Sequence, residues 1–176
     1  MLIVLGLLLS TAIAAAGKPD LSAVSSLKVD LQRVVELGTV EPVDGITSSG
    51  QPDKESLQVF ADAGYTAIID LRGAEENRGF DEPAAVQDLG MAYVAFPIEG
   101  RDAINFDNAG ALDDLIRAQS GPVLVHCGSG NRVGALLALR ASLLGADETE
   151  ALETGRAGGL TRLEETVRER LSGNAE

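Results

Sequence analysis

The run Val123-Leu124-Val125-His126-Cys127-Gly128-Ser129-Gly130-Asn131-Arg132-Val133-Gly134 decides how the rest of the chain is read. Its first residues are apolar and partly β-branched, and its middle is glycine-rich and holds the only cysteine. The run behind it, Ala135-Leu136-Leu137-Ala138-Leu139-Arg140, favours a helix. The order is strand, loop, helix N-terminus. Such a turn directs successive backbone N–H groups into one concavity, and the helix end adds partial positive charge, so a thiolate or a phosphate-sized anion is stabilised there. Cys127 is therefore expected to be a reactive thiolate. The competing reading, a small buried hydrophobe, is the commonest fate of a free cysteine, but neither the glycines nor the strand-to-helix position calls for it.

Within this loop Gly128, Ser129, Gly130, Asn131 and Arg132 are the expected anion-binding residues. Arg132 can fold back and grip two oxygens of a tetrahedral oxyanion in a planar fork, which a lysine does less well. Gly128, Gly130 and Gly134 are expected to supply the positive φ values of a tight loop. His126 is expected to be structural, with its ring bonding neighbouring backbone and fixing the loop.

Outward from the loop, short apolar runs alternate with helix-forming stretches. Tyr65 to Leu71 and Met91 to Ile98 read as further strands buried on both faces, and Val34 to Val43 as a first edge strand. Helices are expected over 54–63, 81–89, 106–119, 132–144, 147–157 and 161–171, with Asp107 where an N-cap belongs. This alternation predicts an α/β domain with a mostly parallel central sheet flanked by helices. In such sheets ligands bind beyond the C-terminal strand ends. The polar loops Arg72-Gly73-Ala74-Glu75-Glu76-Asn77 and Glu99-Gly100-Arg101-Asp102 fall there, and Glu75 and Glu76 are expected to pair with Arg72 or Arg78.

Composition narrows the class. The 176 residues suit one domain, and with 45% hydrophobic but only 3% aromatic residues and no Trp the core must be aliphatic. A formal charge of −13 without any basic cluster excludes nucleic acid as the expected partner. One cysteine rules out an internal disulfide, and one histidine leaves no expected metal-ligand set, so neither metal nor cofactor is predicted. Residues 1–16 are apolar and uncharged and end in Ala14 and Ala16 at signal-peptidase positions, although no Lys or Arg precedes the run. They read as a signal peptide, followed by a linker or N-terminal arm over 17–33 and a single domain over 34–176. The expected product is exported, periplasmic and without a stable membrane span after signal removal.

The motif His126-Cys127-x-x-Gly130-x-Arg132 resembles the signature of cysteine-dependent phosphatases. Taken with Ser48-Ser49-Gly50-Gln51-Pro52, with Gly64-Tyr65-Thr66-Ala67-Ile68-Ile69-Asp70-Leu71-Arg72, and with Gly121-Pro122-Val123-Leu124-Val125, it is similar to the bacterial dual-specificity-phosphatase-like family named after beta-lactamase-hydrolase-like proteins. The likeness covers roughly residues 40 to 145. It implies a protein-tyrosine-phosphatase-type fold, Cys127 as nucleophile, Arg132 as oxyanion clamp, and Gln51, Arg72 and Glu75 near the mouth of the site. The implied partner is a small anionic or phosphorylated substrate, held as phospho-Cys127 during hydrolysis of a phosphomonoester such as phosphotyrosine or phosphoserine.

Two departures keep other readings open. Only four residues, Gly128 to Asn131, separate Cys127 from Arg132, one fewer than in conventional tyrosine and dual-specificity phosphatases. That shorter loop resembles rhodanese-type sulfurtransferases, where the cysteine carries a persulfide. Val133 and Gly134 also stand where such phosphatases place a hydroxyl residue. A general acid is required as well, and Asp102 is the expected one, ahead of Asp107 and Glu99. The readings are thus a phosphatase, a sulfurtransferase or persulfide carrier, and a catalytically weak anion-binding module.

Overall fold

The computed structural model describes residues 27–173, so the signal-peptide reading and residues 17–26 of the arm lie outside the described residues. Four short strands, β1 (Ile46–Ser49), β2 (Ala67–Asp70), β3 (Ala92–Ala95) and β4 (Val123–His126), form one parallel sheet in the order β1-β4-β2-β3. The register pairs Ser49 and Asp70 with His126, and Asp70 with Ala95. All four strands therefore end level, and the loops that follow them meet at one edge.

Because successive strand residues point to opposite faces, the sheet is covered on both sides. Leu124 and Ile68 face α2 (Lys54–Asp62) and α3 (Glu82–Asp88) through Leu57, Phe60 and Val86. Val125 and Ile69 face α4 (Phe106–Arg117), α5 (Asn131–Leu143), α6 (Glu148–Ala157) and α7 (Glu164–Gly173) through Leu112, Leu136, Leu152 and Val167. This is the expected α/β architecture with a parallel sheet between helical layers. β1, β2 and β4 are wholly buried. β3 is not the buried strand that its apolar run suggested: it lies at a sheet edge with Ala92 and Ala95 exposed, whereas β1 at the other edge is covered through the Lys28–Ser48 bridge.

The expected strand over Val34 to Val43 is instead the helix α1 (Leu31–Leu37). The Asp30 carboxylate caps it, accepting from Gln32 N at 3.0 Å and Arg33 N at 3.3 Å, and Gly38 ends it at φ 64°. These end signals prevail over a weak alternation in which only Val34 is buried. Of the linker or N-terminal arm read over 17–33, the described part from residue 27 is docked on the domain: Leu27 is buried, and Lys28 forms a parallel bridge with Ser48 of β1. Asn105, not Asp107, caps α4 by accepting from Asn108 N at 2.8 Å. α7 begins at Glu164 and not at 161, because Thr161 N donates to the Asn131 side chain at 2.8 Å.

α5 carries the run behind the cysteine loop and is buried along most of its length. It approaches α6 through glycines. A Cβ on Gly134 would fall 2.1 Å from Leu160 N and 2.5 Å from Gly155 O. Gly134 thus serves close packing and has no positive φ; of the three loop glycines only Gly130, at φ 85°, has one. Gly134→Ala is expected to lower stability by about 1–3 kcal/mol through overpacking. Urea unfolding with an unchanged midpoint would contradict the contact.

Candidate active site

The nucleophile candidate sits where the sheet ends. β4 delivers His126 and Cys127 to the level edge, and Gly130, the left-handed residue before α5, lets the chain turn directly into the helix. Cys127 is 1% exposed, and its sulfur accepts the Gly130 N–H at 3.1 Å. Gly134 N already donates to Gly130 O, which leaves the N–H groups of Asn131, Arg132 and Val133 without an intrahelical acceptor at the α5 N-terminus. The loop is pinned from outside. Lys28 Nζ donates to Ser129 O at 2.9 Å, and Gly50 packs so closely that a Cβ there would meet Gly128 O at 3.3 Å. The Asn131 side chain turns away from the loop, accepting from Thr161 N, Thr161 Oγ1 and Leu163 N.

Arg132 reaches over the loop side, its Nη2 3.9 Å from where a Gly128 Cβ would stand. Its fork is held by Glu76: Nη1 donates to Oε1 at 2.6 Å and Nη2 to Oε2 at 2.8 Å, while Nη1 also reaches Leu71 O and Ile98 O. Glu76 pairs with Arg72 as expected, at 3.1 Å, but its principal partner is Arg132. Arg72 and Gln51 extend the network from Glu76. Arg72 donates to Gln51 Oε1 and to Asn77 O, and Gln51 Nε2 donates to Glu82 Oε2 at 2.9 Å. One polar chain therefore runs Arg132–Glu76–Arg72–Gln51–Glu82 and ends against His126.

His126 does not bond the backbone as expected. Its ring is fully buried, with Nε2 3.1 Å from Glu82 Oε1 and 3.6 Å from Asp70 Oδ1. The two ring nitrogens and Glu82 Oε1 lack an aligned hydrogen-bond partner. Asp70 is satisfied by Arg78 Nε at 2.6 Å, Tyr93 OH at 2.7 Å and Arg72 N at 2.8 Å. Burial opposes the charge on Arg78, but its bonds to Asp70 outweigh this and raise its pKa. Burial and the Asp70 bond raise that of Tyr93. Asp70, Glu82 and His126 place ligand atoms within 4.8 Å of one another, a grouping that counting histidines does not reveal. The Arg78 guanidinium already occupies the Asp70 side of that cluster.

Beside Arg132 opens a cleft of about 560 Å³ lined by Glu75, Glu76, Glu99, Arg101 and Arg162 among others. Glu99 lies against Gly73, where a Cβ would fall 2.1 Å from its Oε1. Asp102, from the same loop, is fully exposed, is not among the cleft residues, and has Arg170 Nη2 at 3.7 Å. On the other flank of the loop a second cleft is bordered by Lys28, Asp30, Gln32, Gly50 and Ser129. Sequence reasoning missed Lys28 and Glu82. For Glu82 the available signal was an acidic residue in the first turn of a helix that packs on the sheet.

Residues 30–165 match the family model described as DSP-PTPase phosphatase fused to NAD+ kinase. The beta-lactamase hydrolase-like protein of Xylella fastidiosa is 42% identical over 118 residues, covering 63% of this chain and 27% of that protein. The chain thus spans about a quarter of the length of the curated relatives it matches. Among solved structures, a candidate phosphatase of Neisseria meningitidis shares 22% identity, with 71% of this chain and 92% of that chain covered and a TM-score of 0.61. P. aeruginosa TpbA in complex with pTyr shares 18% identity, with 74% and 80% covered and a TM-score of 0.55. At these identities the structures show a shared fold.

The electrostatics of the clamp are set by Glu76. The hydrogen bonds from Arg132, more than any other cause, hold its pKa down to about 2 from an ordinary 4.5. A depressed carboxylate contributes stability that is complete above its unfolded value and is lost as pH falls through the folded one. With 35% of its side chain still exposed, solvent screening keeps the gain small. Glu76→Gln is expected to cost about 1 kcal/mol near neutral pH. Chemical denaturation at several pH values should show the gap to the parent closing as pH drops from 4.5 towards 2.

Proposed function

The chain belongs to the family described as DSP-PTPase phosphatase fused to NAD+ kinase, and from that membership we propose that it hydrolyses a phosphomonoester through Cys127. The carrying observation is the loop itself: Cys127 Sγ at its floor accepts the Gly130 N–H, with three unpaired helix N–H groups following and the Arg132 fork alongside. The thiolate attacks phosphorus as the ester P–O bond breaks, giving phospho-Cys127, and the loop N–H groups with Arg132 hold the oxygens that carry the charge. Water then cleaves the P–S bond, which returns the thiolate and releases phosphate. Phosphotyrosine, bound by the TpbA relative, and phosphoserine are the substrates to try first.

The leaving oxygen needs a proton, and we assign its donor to Glu99 in place of Asp102. Both follow β3, but Glu99 lines the cleft beside Arg132, whereas Asp102 stands in solvent. The apolar stretch 1–16 supports export to the periplasm as part of the same proposal. Among the described residues no helix is long and apolar enough to cross a membrane.

One observation favours a second reading. The loop between Cys127 and Arg132 has only four residues and is followed by Val133, which suits a sulfur carried as persulfide better than a phosphoryl group. Phosphomonoester turnover measured against thiosulfate-to-cyanide sulfur transfer separates the two. The phosphatase proposal expects turnover that Cys127→Ser abolishes; turnover surviving that change rejects the covalent route. Sulfur transfer without phosphatase activity supports the second reading, and neither activity leaves an anion-binding module. In the same assay Glu99→Gln should lower kcat about 10²-fold and Asp102→Asn should leave it within about twofold. The reverse order restores Asp102 as the donor.

A further inference from the structure

The peptide unit joining Ser129 and Gly130 is held at both ends. Its N–H donates inward to Cys127 Sγ at 3.1 Å, and its C=O accepts outward from Lys28 Nζ at 2.9 Å. In a trans peptide these two groups point in opposite directions. The bond to Lys28 therefore fixes which of them faces the sulfur. With the plane reversed, a carbonyl oxygen would confront the thiolate and oppose its charge.

The position of Lys28 is built by three distant segments. Its backbone N donates to Ala157 O at 2.9 Å, and its neighbours are locked to β1 by Val29 N to Ser48 O at 2.9 Å and Ser48 N to Leu27 O at 2.7 Å. Its stem runs over two glycines of positive φ. A Cβ on Gly159 would lie 2.8 Å from Lys28 Cδ, and one on Gly130 would lie 3.1 Å from Cε. The chain thus keeps side chains out of a groove that a lysine stem fills, and the ammonium at its end meets the loop carbonyl.

We propose that Lys28 is a positioning residue for the nucleophile: by holding the Ser129–Gly130 peptide, it keeps an N–H donor and not a carbonyl oxygen facing Cys127 Sγ. The inference rests on Cys127 acting as a nucleophile and not on which reaction it performs. It makes the segment ahead of α1 part of the catalytic apparatus.

The test is the pH dependence of Cys127 alkylation by iodoacetamide in the full chain, which has no other thiol. Lys28→Met keeps an unbranched stem without the charge. It should slow alkylation near pH 6.5 about three- to tenfold and move the alkylation midpoint up by about half to one pH unit. Lys28→Arg, which retains charge and donor, should stay within about twofold of the parent. Lys28→Gln, a shorter donor without charge, should fall between them, and it carries the test should the Met variant not fold. Circular dichroism and thermal melts confirm which variants are folded. An unchanged midpoint in folded Met or Gln variants overturns the proposal, as does a shift that Arg fails to reverse. Alkylation needs no substrate. A parent that turns over no phosphomonoester, but whose midpoint moves with Lys28, therefore removes the phosphatase reading and leaves this one standing.

Discussion

Two carboxylates, Asp70 and Glu82, are taken wholly out of water beside His126, and the arrangement of the site follows from what must accompany them. Removing a carboxylate from solvent costs several kcal/mol unless cations and hydrogen-bond donors replace the lost hydration. Asp70 receives three donors from three directions: Arg78, Tyr93 and the Arg72 backbone. That requirement brings the loop after β2 back over the strand end and ties it to β3 through Tyr93. Glu82 receives Gln51 and the approach of Arg78 at 3.7 Å, which draws the loop after β1 towards the first turn of α3. The level strand ends supply the place, and the buried charges bring the loops together there.

The same requirement propagates to the clamp. Gln51, committed to Glu82, accepts from Arg72; Arg72, committed to Gln51, donates to Glu76; and Glu76 takes both terminal nitrogens of Arg132. Arg132 is thus pre-oriented by a chain that begins beside His126, the residue preceding Cys127. Mutual polarisation in such a chain strengthens its members, and removing one member leaves its partners buried and unpaired. Cys127 is held separately, by the Ser129–Gly130 peptide and Lys28 on the other flank of the loop. The two halves of the site rest on different parts of the fold: the clamp on β1, β2 and α3, the sulfur on the segment before α1 and on the end of α6.

What the sequence made legible was whatever local rules govern. The alternation of strands and helices and the glycine-rich turn after β4 act within a few residues, and the α/β architecture followed from them. Val34–Val43 was misread because an Asp30 cap and the Gly38 stop outweighed a weak alternation. β3 was misread because an apolar run does not say whether a strand at the sheet edge is covered, as β1 is by the Lys28 segment, or open. The partners of His126 and Arg132 were hidden for a different reason. Glu82 and Glu76 reach them across 44 and 56 residues of chain, and surface carboxylates look the same in sequence as buried ones. Lys28 reaches Ser129 across 101 residues, from a segment whose composition resembles a linker.

The charge of the whole chain and the charge of the site point in opposite directions, and distance decides which governs. At −13 the protein repels an approaching anion, but at physiological ionic strength that field decays over about 8 Å. Inside the cleft the nearest charges are what count. Of the charged groups there, Glu76 is neutralised by Arg132 and Arg72, whereas Arg101 and Arg162 show no ion-pair partner among the described residues and line the cleft together with Glu75 and Glu99. The rim is therefore mixed, with cations for an anionic group and carboxylates for a neighbouring donor. A densely anionic molecule entering the cleft meets Glu75 and Glu99 as well as the arginines. At the cleft the local mixture of charges therefore outweighs the net charge of the distant surface.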